Sequence, residues 1–162
     1  MTADSAVLSE AKPNVYLAIL WGGLAVGVLD ISAAFINGGI RGRSPMWVLQ
    51  SVASGLLGAE SYKGGLRSAS YGAVLHFFIA FVVGVVYVTA GLKLRVLVER
   101  PVICGIIYGL AVYFFMYLIV LPLTFHRSFM QPLSAVITAI IIHMICVGLP
   151  IALISSWYLK GD

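Results

Sequence analysis

Three ionisable side chains lie inside long apolar stretches of the sequence, where burying them is costly. They are Asp30, His76 and His143. Histidine titrates near neutral pH; a neighbouring carboxylate favours its protonated form, whereas burial disfavours it. Ionisable groups inside membrane helices are rare and often mark proton or ion pathways. The chemistry open to these residues is therefore proton binding or small-ion handling, with ligation of a haem or a metal as a further option.

The positions of these residues within their apolar stretches predict a common depth. With a helical rise of about 1.5 Å per residue, Asp30 and His76 lie about 10 Å from the first-loop end of their helices. His143 lies about 13 Å from that end by the same measure. Tyr113 falls near this level on the third stretch. We expect one polar layer formed by Asp30, His76, Tyr113 and His143.

Two interpretations of this layer stay open. Its side chains could satisfy one another and fix the helix register, as hydrogen bonds between membrane helices do. Alternatively, the layer is a protonation or binding site. The sequence contains neither a GxSxG nor a Walker motif, and nothing in it demands a cofactor or a metal. We therefore predict no cofactor and no metal, and we do not expect an enzyme.

The composition indicates that most of the chain is surrounded by lipid. The 162 residues are 61% hydrophobic and 10% charged, and the mean hydropathy is +1.04. A soluble domain of this size has about a quarter of its residues charged. The net charge of +4 comes from basic residues scattered in short loops, so we expect the lipid bilayer as a partner and no nucleic acid. Both cysteines, Cys104 and Cys146, lie in apolar stretches and are interpreted as buried thiols.

The apolar stretches predict an all-α polytopic membrane protein with four transmembrane helices and one short additional helix. A polar tail of residues 1–14 precedes a single domain of residues 15–162. Each stretch is close to the 20 or so residues that cross the hydrocarbon. The predicted spans are residues 15–37, 69–90, 102–121 and 134–159. Pro122 closes the third span, and Pro150 is expected to kink the fourth or loosen one of its turns.

A short helix is predicted at residues 44–57, between the first two spans. Ser44 and Pro45 form a typical helix start, with a capping hydroxyl followed by proline at the first helical position. The helix has a polar strip of Gln50, Ser51 and Ser54. It is too short to span the bilayer, so we expect it to lie in the interface or to form a re-entrant half-helix.

Small residues recur along one face of each predicted span. Gly23-x-x-x-Gly27 and Gly105-x-x-x-Gly109 both fit the pattern that lets membrane helices approach closely. The polar residues of the layer share these faces with the small residues. We therefore expect the layer to point into a four-helix bundle.

Basic residues near the loops suggest a second kind of site. Arg41, Arg43 and Arg127 lie on the same predicted side and could attract an anionic lipid head group, although ordinary solvated loop charges are the favoured explanation. The orientation rests on the loop charges, and each side holds the same number of basic residues. One side has Lys12, Lys93, Arg95, Arg100 and Lys160, and the other has Arg41, Arg43, Lys63, Arg67 and Arg127. We expect both termini in the cytoplasm.

The sequence resembles the YagU-like bacterial inner-membrane proteins, a family of uncharacterised function. The resemblance rests on the glycine-rich first helix followed by Arg43-Ser44-Pro45, on His76 in the second helix, and on Pro122 ahead of His143 in the last helix. It implies a compact helical bundle in the bacterial inner membrane. It extends to His76 and His143, but not to Asp30.

Three functions follow from these observations as hypotheses. The first is a proton-responsive or small-ion-handling bundle built on the polar layer, for which a homo-oligomer is expected, since four helices enclose little volume. The second is a non-catalytic scaffold or accessory subunit with a membrane partner protein. The third, with the least support, is a haem- or metal-binding membrane protein.

Overall fold

The computed structural model of the protein describes residues 14–125 and 132–160. We number the main helices in chain order. They are α1 (Val15–Ile40), α2 (Pro45–Leu57), α3 (Gly65–Lys93), α4 (Val96–Glu99), α5 (Pro101–Thr124) and α6 (Leu133–Lys160), with a 3-10 turn at Gly58–Lys63. No strand occurs within these described residues. Asn14, the last residue of the predicted tail, caps α1 by accepting a hydrogen bond from the Leu17 N–H.

Four of these helices confirm the predicted fold class of an all-α polytopic membrane protein. Helices α1, α3, α5 and α6 have 26, 29, 24 and 28 residues, and each is long and apolar enough to cross a membrane. All four exceed the length that spans about 30 Å of hydrocarbon. The predicted spans lie within them, and α3 begins earlier than expected, at Gly65.

The third span continues past Pro122 instead of closing at Leu121. Proline has no N–H, and its ring clashes with the carbonyl four residues earlier in a regular helix. Just before Pro122, the segment Met116–Val120 has π-type hydrogen bonds, and the Leu121 N–H donates to the Met116 carbonyl. This wider turn makes room for the ring, so the helix runs on to Thr124.

Helix α6 accommodates Pro150 in the same way. The segment His143–Gly148 is π-helical, and the Leu149 N–H donates to the Met144 carbonyl five residues back. The sequence predicted a kink or a loosened turn at Pro150, and the structure contains the loosened turn. His143, a residue of the predicted polar layer, begins it.

The π segment of α6 packs directly against the backbone of α5 through glycines. A Cβ atom on Gly148 would collide with the carbonyl oxygen of Gly105, and one on Gly109 would collide with the carbonyl oxygen of His143. Neither neighbour is a side chain that could rotate away. The prediction that Gly105-x-x-x-Gly109 is a helix-packing face is therefore confirmed.

The glycine pair on α1 is used differently, as a surface for aromatic rings. The Phe81 ring of α3 packs on Gly23, and the Phe77 ring packs on Gly27. Both rings fill space that any larger side chain on α1 would occupy. Helices α1 and α3 therefore meet through rings set into hollows, while α5 and α6 meet through backbone.

Helix α2 lies against the start of α3 with its polar strip turned inward. A Cβ on Gly72 would collide with the Leu49 carbonyl oxygen, so the two backbones are in contact. The Gln50 amide, 5% exposed, donates to the Gly65 carbonyl at 3.1 Å and to the Ser68 hydroxyl at 3.3 Å. Leu56, by contrast, is 76% exposed. This polarity is the reverse of a water-soluble amphipathic helix and suits lipid on the outer side.

The opposite end of the bundle is joined by hydroxyl groups that bond to backbone carbonyls. The buried Tyr87 hydroxyl donates to the Leu97 carbonyl at 3.0 Å, and Tyr108 of α5 donates to the Val83 carbonyl of α3 at 2.7 Å. The Ser156 hydroxyl of α6 donates to the carbonyl of Val98 at 2.7 Å. The bonds of Tyr87 and Ser156 connect α4 to α3 and α6, and the bond of Tyr108 joins α5 to α3.

Replacing Gly148 by alanine tests the backbone contact between α5 and α6. Gly148→Ala should lower the melting temperature of the detergent-purified protein, because the added Cβ meets α5 backbone, and overpacking of this kind costs about 1–3 kcal/mol. Gly39→Ala is the control, since a Cβ there meets nothing within 4 Å. Circular-dichroism melts compare the two. Equal melting temperatures would contradict the close approach.

Candidate functional site

His76 joins α3 to α1 through a backbone hydrogen bond. Its Nε2 atom lies 2.8 Å from the Gly27 carbonyl oxygen, and the half-buried ring stands edge-on to Phe77 at 5.5 Å between centroids. A carbonyl only accepts hydrogen bonds, so Nε2 carries the proton. No hydrogen bond to Nδ1 is found within the described part of the chain.

His143 is bonded within its own helix and packs against α5. Its Nδ1 atom donates to the Ala139 carbonyl at 2.8 Å, which assigns the proton to Nδ1 by the same argument. The ring meets Tyr113 edge-on at 5.5 Å between centroids, and Tyr113 is only 4% exposed. Among residues 14–125 and 132–160, Nε2 has no hydrogen-bonding partner.

Tyr113 extends this contact to the π segment of α5. Its ring stacks on Tyr117 with centroids 5.6 Å apart and an interplanar angle of 13°. Tyr117 belongs to the π segment Met116–Val120, while His143 begins the one in α6. The aromatic cluster Tyr117–Tyr113–His143 thus lies between the two widened turns. Such turns are frequent at functional sites.

Asp30 lies near α6 and is not paired with either histidine among the described residues. It is half-buried on α1, within electrostatic reach of the Cys146 thiol on α6. Among the described residues it forms no ion pair with His76 or His143. The structure therefore brings Tyr113 and His143 together and bonds His76 of α3 to α1. Asp30 lies beside α6.

The candidate layer lies deeper than the sequence predicted. The helices extend further than expected at the first-loop end, to Ile40 for α1 and from Gly65 and Leu133 for α3 and α6. Asp30, His76 and His143 therefore lie about 15 Å inside these ends. That is about half of the hydrocarbon thickness of roughly 30 Å. Sites of ion and proton transport occur near this level.

The geometry does not favour a metal or haem at the layer. Within residues 14–125 and 132–160, no group of three or more His, Cys, Asp or Glu side chains is close enough to hold a metal ion. The Nε2 of His76 is already engaged by the Gly27 carbonyl. The two imidazoles bond to carbonyls of different helices, His76 to Gly27 of α1 and His143 to Ala139 of α6.

A second candidate site is formed by the arginines after α1. Arg41 and Arg43 border a cavity of about 530 Å³ between α1, α2 and the start of α6, which we call the arginine pocket. Asn37, Trp47 and Ser51 also line it. Arg127, predicted to join these two residues, lies outside the described residues.

A tight turn fixes the two arginines at the end of α1. The Arg43 N–H donates to the Gly38 carbonyl and the Gly42 N–H donates to the Gly39 carbonyl, both at 2.9 Å. This pair of bonds is a Schellman motif, and Gly42 adopts φ +72° in it. The motif holds the side chains of Arg41 and Arg43 beside α2.

Fold and sites together define a multi-pass membrane helical bundle with a mid-depth histidine layer. Comparison of the sequence with family models, and of the chain with curated proteins and solved structures, found no match. This result neither supports nor contradicts the resemblance to the YagU-like proteins, which stays a prediction.

Sequence reasoning missed several contributors to these sites. Asn37, Trp47 and Ser51 line the arginine pocket, and Cys146 accompanies Asp30. Gly42, just beyond the last apolar turn of α1, was the available signal for the Schellman motif. No sequence signal identified the residues near Asp30, because these depend on which helices are neighbours.

The two hydrogen bonds predict opposite tautomers for the two histidines. In ¹⁵N-histidine-labelled protein above the titration range of imidazole, we expect His76 protonated on Nε2 and His143 protonated on Nδ1, since each of these atoms donates to a carbonyl. Nitrogen NMR chemical shifts measure this directly, and His76→Gln and His143→Asn assign the signals. Finding both rings in one tautomer would contradict the geometry.

Proposed function

We propose that this membrane protein is a proton-responsive helical bundle in which His76 and His143 bind protons. The observation that supports the proposal is shared by both residues. Each half-buried ring has one N–H anchored on a backbone carbonyl, and its second nitrogen has no hydrogen-bonding partner among the described residues. Such a ring can gain a proton without losing the bond that holds it.

A proton gained by either histidine at this depth adds a positive charge to the interior of the bundle. Tyr113 of α5 contacts His143 and stacks on Tyr117, and the Asp30 carboxylate of α1 is within electrostatic reach of Cys146, three residues after His143 on α6. Asp30 is the carboxylate of this set, and it is paired with neither ring in the present structure. Protonation therefore favours movement of α1 and α6 that brings Asp30 toward an imidazolium. This movement is the proposed response.

The scaffold hypothesis is the second candidate, and one observation favours it. Both histidines make a backbone hydrogen bond, and that of His76 joins two helices, as a purely structural residue would. In either case the protein is a multi-pass membrane protein. Its location in the bacterial inner membrane, with cytoplasmic termini, and its assembly as a homo-oligomer or with a membrane partner stay predictions.

Matched substitutions separate proton binding from packing. Glutamine at position 76 can place an amide N–H where Nε2 lies, and asparagine at position 143 can do so for Nδ1. His76→Gln/His143→Asn should therefore keep the carbonyl bonds but remove the ring nitrogens that could gain a proton. We expect the melting temperature of the wild type to change between about pH 5 and about pH 8, and the double variant to lose most of that change.

The control and the contradicting result use the same samples. His126→Gln removes the remaining histidine, which lies outside the described residues, and should retain the wild-type pH response. Proton flux into liposomes, measured with an internal pH dye, then shows whether the response includes transport. If the double variant keeps the full pH dependence of the wild type, the histidines do not bind the protons and the scaffold function stands.

A further inference from the structure

Helix α2 separates two cavities of different character. On one side is the arginine pocket of about 530 Å³. On the other is a cavity of about 790 Å³ between α2, α3 and the last turns of α5, which we call the apolar cavity. Its walls include Val52, Leu75, Ile79, Met116 and Val120. Both volumes fall within the range of ligand-binding sites.

The two cavities adjoin each other along α2. Trp47 and Ser51 line both of them. The cavity that holds the two arginines therefore adjoins an apolar cavity beside two membrane-spanning helices. A molecule that filled both would carry an anionic group at one end and a hydrocarbon chain at the other.

The arginines are prepared for an anion. Within residues 14–125 and 132–160, the only ion pair is that between Lys63 and Glu60, so neither arginine is neutralised by a described carboxylate. The Arg43 guanidinium lies over the Trp47 ring, 4.4 Å from its centroid. Stacking fixes the plane of the guanidinium and leaves its N–H edge for the paired hydrogen bonds that phosphate accepts.

We propose that these cavities form a binding site for an anionic phospholipid of the surrounding bilayer. The phosphate lies in the arginine pocket against Arg41 and Arg43, and one acyl chain lies in the apolar cavity. Charge complementarity selects the anionic head group. The neighbouring apolar cavity favours a lipid over a free anion, since the chain adds apolar burial that inorganic phosphate lacks.

Native mass spectrometry of the detergent-purified full chain tests the head-group half of the site. Arg41→Gln/Arg43→Gln should weaken binding of phosphatidylglycerol by about tenfold or more, because charged hydrogen bonds are lost, and should leave phosphatidylcholine binding unchanged. Arg67→Gln is the matched control. Arg67 lies over Tyr71 at 6.0 Å and lines neither cavity, so its loss should leave phosphatidylglycerol binding at the wild-type level.

A different variant tests the proposed contact between the acyl chain and the apolar cavity. Ile79→Phe places a larger side chain in the apolar cavity and should weaken phosphatidylglycerol binding while both arginines remain. Val82→Phe adds the same side chain at an exposed position of α3 and should have no effect. Met116→Phe repeats the test from α5, and melts in lipid-free detergent confirm that the compared variants are folded.

Inorganic phosphate is the probe for a free-anion site. Thermal protection by phosphate that equals protection by phosphatidylglycerol and disappears in Arg41→Gln/Arg43→Gln would overturn the lipid and leave an anion site. Equal binding of phosphatidylglycerol and phosphatidylcholine, or unchanged phosphatidylglycerol binding in the arginine variant, would overturn the head-group contact. Unchanged binding in both cavity variants would overturn the acyl-chain contact.

Discussion

Helices α5 and α6 contact each other through their backbones. Gly105 and Gly109 of α5 lie directly on the π segment of α6 that ends at Gly148. In a bilayer no hydrophobic force separates helix surfaces from lipid, so helices associate through close packing and hydrogen bonds. Glycine permits the closest approach available. The position of α6, and with it the position of His143, depends on this contact.

Proline determines where that contact can form. Pro150 cannot continue a regular helix, and the preceding turn widens into the π segment His143–Gly148. Pro122 has the same effect on Met116–Val120 in α5. His143 begins one widened turn and contacts Tyr113, which stacks on Tyr117 in the other. The aromatic cluster thus joins the two proline-associated π segments at the glycine contact.

Much of the fold was predictable because lipid imposes simple rules. Four apolar stretches of sufficient length gave the class of the fold, and helical rise placed Asp30, His76 and His143 at one level. Depth is a property of one helix at a time, whereas pairing depends on the order of helices around the bundle. Hydropathy contains no such order, so the bond of His76 to Gly27 and the proximity of Asp30 to Cys146 could not be derived.

Two local features show where the sequence rules were incomplete. Pro122 predicts the end of the third helix, but a π turn lets the helix continue to Thr124. The polar strip of α2 gave no direction by itself, and the structure turns Gln50 and Ser54 toward α3. In water a polar strip faces outward; beside lipid it gains more by bonding to protein.

The glycine contact of α5 sets the environment of His143, on which the proposed proton binding depends. The most direct measurement is the pH titration of the His143 ring by ¹⁵N NMR in wild type and Gly109→Ala, both below their melting temperatures. A Cβ at position 109 meets the His143 carbonyl. The account predicts an altered titration midpoint for His143 and an unchanged one for His76. Identical titration of His143 in both folded proteins would contradict it.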